Sequence, residues 1–302
     1  MHSPAGPIRL CYHGGTLGDF ITALPAILYW TAQPRPGGTL VLTRPAHARL
    51  LRSAGLVDEA WSLDGPSALA LFGGTGDLPP FAEALVFSAE TSPVVETLRK
   101  AACPHIIRQD PFPAVSVSKV DYHLSLFPSA PRPEVLLEPL RRFARQRGVQ
   151  PGENHARGDL RVVIHPGSGG REKVWPFDRF RTVAAGLQAA GLLPLWVRGP
   201  AELDGEFHAR EPVVTSPELE DLAGLLATSR LYVGNDSGVT HLAAACGCPT
   251  VAIFGPSDPV VWRPRGAPVR IVQPREGRDI RGVPPEAVLA AALELAGNAG
   301  RS

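Results

Sequence analysis

The chain has 302 residues, a formal net charge of +1, 44% hydrophobic and 20% charged residues, which suits a buried core in each of two ordinary domains. That even charge argues against a nucleic-acid partner, which calls for a basic excess, and leaves any phosphate binding to a local site. Its four cysteines, Cys11, Cys103, Cys246 and Cys248, have neither CxxC nor zinc spacing, the start lacks a signal-peptide pattern, and no apolar run reaches the ~18 residues of a membrane span.

In chain order, Ile8–His13 reads as a strand, Asp19–Trp30 as a helix, Thr39–Thr43 as a strand and Pro45–Ser53 as a helix. Ala84–Ser88, Pro93–Ala102 and His105–Arg108 continue as strand, helix and strand. A helix ends over Pro139–Gly148, and the polar, Gly/Pro-bearing stretch Gln150–Asp159 reads as a linker. Beyond it the predicted strands are Arg161–His165, Leu193–Arg198, Pro212–Thr215, Leu231–Asn235, Thr250–Phe254 and Val269–Val272. The helices between them are Phe177–Ala190, Pro217–Thr228, Val239–Cys246 and Pro284–Ala296. Short apolar runs alternating with longer amphipathic ones imply parallel sheets covered on both faces. The expectation is an α/β chain of two Rossmann-like doubly wound domains, residues 1–155 and 156–302, whose strand ends face an interdomain cleft. Ligands bind such sheets at the carboxyl ends of their strands.

Three strand-to-helix junctions carry the chemistry. In the first, YHGGTLGDFITALP (Tyr12–Pro25), Asp19 stands at the helix start behind Gly14, Gly15, Thr16 and Gly18. From the residues alone Asp19 reads as a helix N-cap, with a general base for a sugar hydroxyl as the functional alternative. The second, VIHPGSGGREKVWPFDRF (Val163–Phe180), gathers Gly167, Ser168, Gly169, Gly170, Arg171 and Lys173 ahead of Trp175. Backbone amides, a hydroxyl and two cations suit a diphosphate, although the spacing is not that of a P-loop.

The third junction runs from Tyr232 to Trp262, YVGNDSGVTHLAAACGCPTVAIFGPSDPVVW. A strand ends at Gly234-Asn235-Asp236-Ser237-Gly238, and the helix after it offers free amides and its dipole to an anion. Asp236 is a candidate for sugar or ribose hydroxyls. His241 is open between a core histidine and a diphosphate neighbour. Gly255, Ser257 and Asp258 make a second polar loop at the same sheet edge. Among minor candidates, Glu202 is open between a ribose contact and a surface role, and Glu218 and Asp221 decorate a helix start. Trp30, Trp61 and Trp196 read as core, Cys246 and Cys248 as small buried thiols, and His123 as structural or acceptor-binding.

Together GGTLGDFITALP, HPGSGGREKVWP and GNDSGVTHLAAACGCPTVAIFGPSDP resemble glycosyltransferase family 9, the heptosyltransferases, from about Arg9 to the C-terminal helix. The resemblance implies the GT-B architecture, with the helix at 284–296 packing back toward the N-terminal, acceptor-binding domain. It implies inverting transfer with no essential metal or cofactor and with Asp19 as base. It places the phosphate-contacting lysine on Lys173 and the donor-site run on Asp236, Ser237, Gly238 and His241, with ADP-heptose as the donor substrate; Ser168, Gly169, Gly255 and Ser257 are the donor-loop candidates that the residues themselves supply. Gly15, Thr16 and His123 are the acceptor-side expectations. The expected acceptor is a glycan or glycolipid such as a lipopolysaccharide core, although no basic acceptor-side cluster is visible. The expected setting is the cytoplasm or the inner face of its membrane, without nucleic acid. A different nucleotide-sugar donor and a non-catalytic sugar-nucleotide-binding homologue are the alternatives. The acceptor, nucleobase and oligomeric state stay open.

Overall fold

The computed structural model describes residues 7–34, 38–66, 68, 72, 80–148, 160–199, 212–215 and 217–298. The chain divides into two units, Met1–Arg132 and Pro133–Ser302. The predicted linker, the 155/156 boundary and Glu202 lie outside the described residues.

In the first unit β1 (Ile8–His13), β2 (Thr39–Thr43), β3 (Glu59–Ser62), β4 (Phe81–Phe87) and β5 (Ile106–Gln109) form one sheet in the order β3-β2-β1-β4-β5. All its pairings are parallel. Helices α1 (Leu17–Thr31), α2 (Pro45–Ser53), α3 (Pro93–Lys100) and α4 (Lys119–Leu124) join or follow the strands. β1 and β2 are buried nearly throughout, as in a parallel sheet with helices on both faces. Ile8, Leu10, Leu40, Leu42, Ala84 and Val86 pack into one core cluster with Val94 and Leu98 of α3. The strand order reverses between β1 and β4, so the site edge of this sheet is the carboxyl end of those two strands. There the register sets His13 beside Thr43 and Phe87, and Phe87 beside Gln109.

The second unit begins with α5 (Pro133–Leu136) and α6 (Glu138–Gly148). Its sheet holds β6 (Arg161–His165), β7 (Leu193–Arg198), β8 (Val213–Thr215), β9 (Leu231–Asn235), β10 (Thr250–Ile253) and β11 (Val269–Val272). The order is β11-β10-β9-β6-β7-β8 and every pairing is parallel. Helices α7 (Phe177–Ala189), α8 (Leu219–Ala227), α9 (Gly238–Ala245), α10 (Pro259–Trp262) and α11 (Pro285–Asn298) complete it. This order reverses between β6 and β9, and the second and third sequence junctions leave from those two strands.

Two features differ from the sequence reading. α6, expected to close the first domain, packs against α8 of the second unit. Gly148 and Gly224 make that contact: a Cβ on Gly148 would lie 2.3 Å from the Gly224 carbonyl oxygen, so any side chain would force the helices apart. Arg147 adds an ion pair to Asp221 at 2.7 Å. The C-terminal helix, expected against the front domain, has its buried face on α7 and the β9–β11 edge of its own unit. There Val288, Ala292 and Leu295 join the core of Val162, Ile164, Trp175 and Phe180. That helix is apolar enough to complete the core of its own unit, with Ala296 buried beside those three.

Candidate functional site

Each unit carries one cluster at its own sheet edge. In the first unit the loop after β1 turns into α1 with Thr16 as the N-cap. Asp19 is therefore the third helical residue, not the cap. Its carboxylate reaches back along the turn: Oδ2 accepts from the Thr16 N–H at 3.1 Å and the Thr16 hydroxyl at 2.7 Å. Oδ1 accepts a hydrogen bond from Lys119 Nζ. Gly15 leaves room for this arrangement, since a Cβ there would lie 2.7 Å from Asp19 Cβ and 2.9 Å from His13 Cε1. Burial pushes the Asp19 carboxyl up, but the Lys119 hydrogen bond and charge and the two Thr16 bonds outweigh it and hold the group below its usual range.

Lys119 was not a sequence candidate. It lies on α4, a six-residue helix with no apolar periodicity, capped by the Ser118 hydroxyl. Only the Ser-x-x-Asp run at its start gave a local signal. His123 shares that helix one turn on and is buried. Gln109 donates its amide to the Tyr122 carbonyl at 2.7 Å, so its Oε1 faces His123 Nδ1, also at 2.7 Å. An amide oxygen only accepts, which puts the imidazole proton on Nδ1. Phe87 packs edge-on against His123, His13 leans on both Phe87 and Phe20, and His47 stacks flat on Phe20.

Burial drives these imidazoles neutral, His13 to about 4 and His47 and His123 to about 3. In the second unit burial takes His165 to about 4. An unfolded histidine titrates near ~6.5, so below that pH the unfolded chain binds protons that the folded chain refuses. Stability therefore falls as the pH drops from about 6.5 toward 4. Thermal melts at pH 7.5, 6.0 and 5.0 are expected to show a steadily lower Tm, and a flat Tm would contradict the buried neutral imidazoles.

In the second unit the loops after β6 and β9 are tied together. Asn235 donates its side-chain amide to the Pro166 carbonyl at 2.5 Å, and its Oδ1 accepts from the Trp175 N–H at 3.2 Å. The Ser168 hydroxyl donates to the Asp236 carbonyl at 2.9 Å. Lys173 Nζ lies 2.9 Å from Asp236 Oδ2, and the Lys173 side chain keeps 30% exposure while that of Asp236 keeps 4%. Asp236 thus holds the lysine rather than standing free for hydroxyls. Lys173 also sits over the Trp262 ring at 5.5 Å. His241 is buried, with Nε2 3.9 Å from Asp236 Oδ1, and meets Trp262 edge-on.

Ser237 caps α9 through its hydroxyl, which accepts from the Thr240 N–H. The first amides of that helix, from Gly238 and Val239, have no intrahelical acceptor by geometry. Asp258 caps α10 by accepting from the Val260 N–H at 2.8 Å, so the GPSDP loop folds around its own turn. A pocket of about 430 Å³ opens beside these loops, bounded by Arg171, Glu172, Pro256, Arg278, Asp279 and Arg281, so its charges are mixed. Trp175 lies in the core and donates its indole N–H to Val283 at 3.1 Å. Cys246 and Cys248 are buried as expected, and burial pushes the Cys246 thiol up to about 12. No group of three or more His, Cys, Asp or Glu among the described residues is arranged to hold a metal ion. No helix among them is long and apolar enough to cross a membrane.

Two doubly wound parallel sheets, each with its polar loops at the point of strand-order reversal, define the GT-B class of α/β protein. Residues 127–280, just over half of the sequence, match the model of glycosyltransferase family 9 (heptosyltransferase), and the chain belongs to that family. Lipopolysaccharide heptosyltransferase 3 of Escherichia coli K12 is 30% identical over 118 residues, 35% of this chain and 34% of the relative. The chain thus matches about a third of that curated relative's length. Two solved structures share the fold over nearly the whole chain. The glycosyl transferase family 9 protein of Veillonella parvula is 17% identical with a TM-score of 0.75, covering 97% of this chain and 98% of its own. The E. coli ADP-heptose lps heptosyltransferase II is 18% identical with a TM-score of 0.71, covering 97% and 99%. The family match includes the Lys173 and Asp236 loops, while Asp19 lies ahead of it.

Proposed function

We propose that the chain is an inverting glycosyltransferase that moves heptose from ADP-heptose to a hydroxyl of a lipopolysaccharide-core-like glycan. The observation that carries this reading is the cationic Lys173 fixed by buried Asp236 beside the N-terminus of α9. A cation and free helix amides at one strand-order reversal suit a diphosphate. The donor expected there follows from family membership and from the ADP-heptose named for the E. coli structural relative.

In this mechanism the acceptor oxygen attacks the anomeric carbon as Asp19 takes its proton. The bond from that carbon to the diphosphate oxygen breaks, and ADP leaves with the electron pair. Charge grows on the leaving oxygens, where Lys173, the Gly238 and Val239 amides and the Ser168 hydroxyl, once it turns from the Asp236 carbonyl, stabilise it. Gly169, Gly255 and Ser257 complete the donor loops, with His241 behind Asp236. Gly15 and Thr16 shape the acceptor side, and buried His123 supports it through Gln109 and Phe87. The acceptor held by the first unit and the donor held by the second must meet for transfer, in a step that excludes water. The same reading puts the work in the cytoplasm or at the inner face of its membrane.

Incubation with ADP-heptose and a heptose-deficient lipopolysaccharide core is expected to release ADP and extend the acceptor by one sugar. ADP is expected to raise Tm more than UDP or GDP. A preference for another nucleotide would replace the donor, and binding without turnover on any acceptor would leave a sugar-nucleotide-binding protein.

A further inference from the structure

Lys119 is wholly buried, with 0% side-chain exposure, and meets Asp19 from 100 residues further along the chain. Its Nζ also lies 4.4 Å from the centroid of the Phe112 ring, which is itself exposed on the loop before α4. Stability alone is a poor reason for such a residue. Burying an ammonium is costly, and an apolar pair of similar volume commonly serves a core as well or better. Its geometry instead divides the two oxygens of one carboxylate. Oδ1 is taken from the protein interior by Lys119, while Oδ2 is held only by Thr16 in an exposed turn.

We propose that Lys119 is a positioning residue for the transfer reaction: it locks Asp19 Oδ1 so that Oδ2 alone is presented, ionised, to the acceptor hydroxyl. The proposal rests on Asp19 being the base. An acceptor hydroxyl arriving at Oδ2 would exchange with the Thr16 hydroxyl, which already occupies the place of a donor at 2.7 Å. The other titratable or charged groups around Asp19 are His13 from β1, His47 from α2, His123 from α4 and Arg44 ahead of α2. The three imidazoles are neutral at pH 7. Arg44 donates to the Gly14 carbonyl at 3.0 Å. The cation in hydrogen-bond contact with the carboxylate is Lys119.

The test uses Lys119→Met and Lys119→Gln, the second keeping a hydrogen-bonding group without charge should the first fail to fold. Aspartate side-chain carboxyls are labelled with carbon-13, and the Asp19 signal is assigned by its loss in Asp19→Asn. In the wild type that signal is expected to stay ionised down to the pH where the fold is lost. Without Lys119, burial opposes the charge with less to offset it, and the midpoint is expected to rise by roughly 1–3 units into the folded range. The acid limb of kcat/KM, corrected for the folded fraction, should rise with it, with the affinity for ADP unchanged. A structural lysine would lower Tm and leave midpoint and limb in place, and that result overturns the proposal. Failure of the base reading is separable: Asp19→Asn would then keep wild-type turnover whatever the titration shows.

Discussion

Asp19→Asn is expected to lower kcat by roughly 10²–10⁴-fold, the usual contribution of a positioned general base. Affinity for ADP should stay near wild type, because the residues proposed to hold the donor belong to the second unit. The variant keeps the size of the side chain and one acceptor oxygen for Thr16, so the loss should be chemical rather than architectural. A stability cost will accompany it. Breaking a buried ion pair costs about 3–5 kcal/mol, and less here because the Asp19 side chain keeps 14% exposure. The double variant Asp19→Asn/Lys119→Met removes both charges and should recover most of the lost Tm without recovering turnover. Kinetics and melts on the same preparations check both parts, and near-normal turnover in Asp19→Asn would remove it as base. The sign of its pKa matters at low pH. Asp19 is held below the ordinary range of ~3.9, so its protonation does not limit activity between pH 6.5 and 4. Activity lost there should track the melting of the buried-histidine core.

Lys173→Met is expected to weaken ADP binding by about 1.5–3 kcal/mol, the worth of a hydrogen bond to a charged group, roughly ten- to a hundredfold in Kd. The geometry gives the effect a second part. Asp236 keeps 4% exposure and faces Lys173 at 2.9 Å, so the variant leaves a buried carboxylate facing an incoming diphosphate. The loss should therefore exceed that of the contact alone. Lys173→Met/Asp236→Asn removes the repulsion as well as the cation and should bind ADP better than the single variant, a non-additivity expected of contacting residues. Calorimetry with ADP measures all three. Unchanged affinity in Lys173→Met would take this loop out of the donor site.

Both units were partly legible in sequence, and Ile8–His13 and Thr39–Thr43 of the first have the expected bounds. In the second unit Leu231–Asn235 and Val269–Val272 have the expected bounds, because short apolar runs between turn residues are strong local signals. Ser168, Lys173, Asp236 and Ser237 are near one another in two short motifs, so their grouping needed only the rule that ligands gather at strand ends. Their internal roles were not legible. That Asp236 holds Lys173, and that Asn235 joins the two loops, depends on β6 and β9 being neighbours, which no local pattern specifies. In the first unit β3 and α4 were missed. β3 reads Glu-Ala-Trp-Ser, with no β-branched run to mark a strand, and α4 has six residues, too few for a helical period to register.

The sequence by itself determined the class: alternating apolar runs dictate parallel sheets, and glycines with polar residues at strand ends mark where a ligand is expected. It also required that any phosphate binding be local, since a net charge of +1 supplies no long-range field. Only the tertiary structure decided which unit α6 and α11 complete, because the apolar face of a helix carries no record of the surface it covers. Only it brought Lys119 to Asp19 and moved the cap from Asp19 to Thr16. A buried charge chooses its partner by position in space, and neighbouring residues in the chain carry no record of that choice.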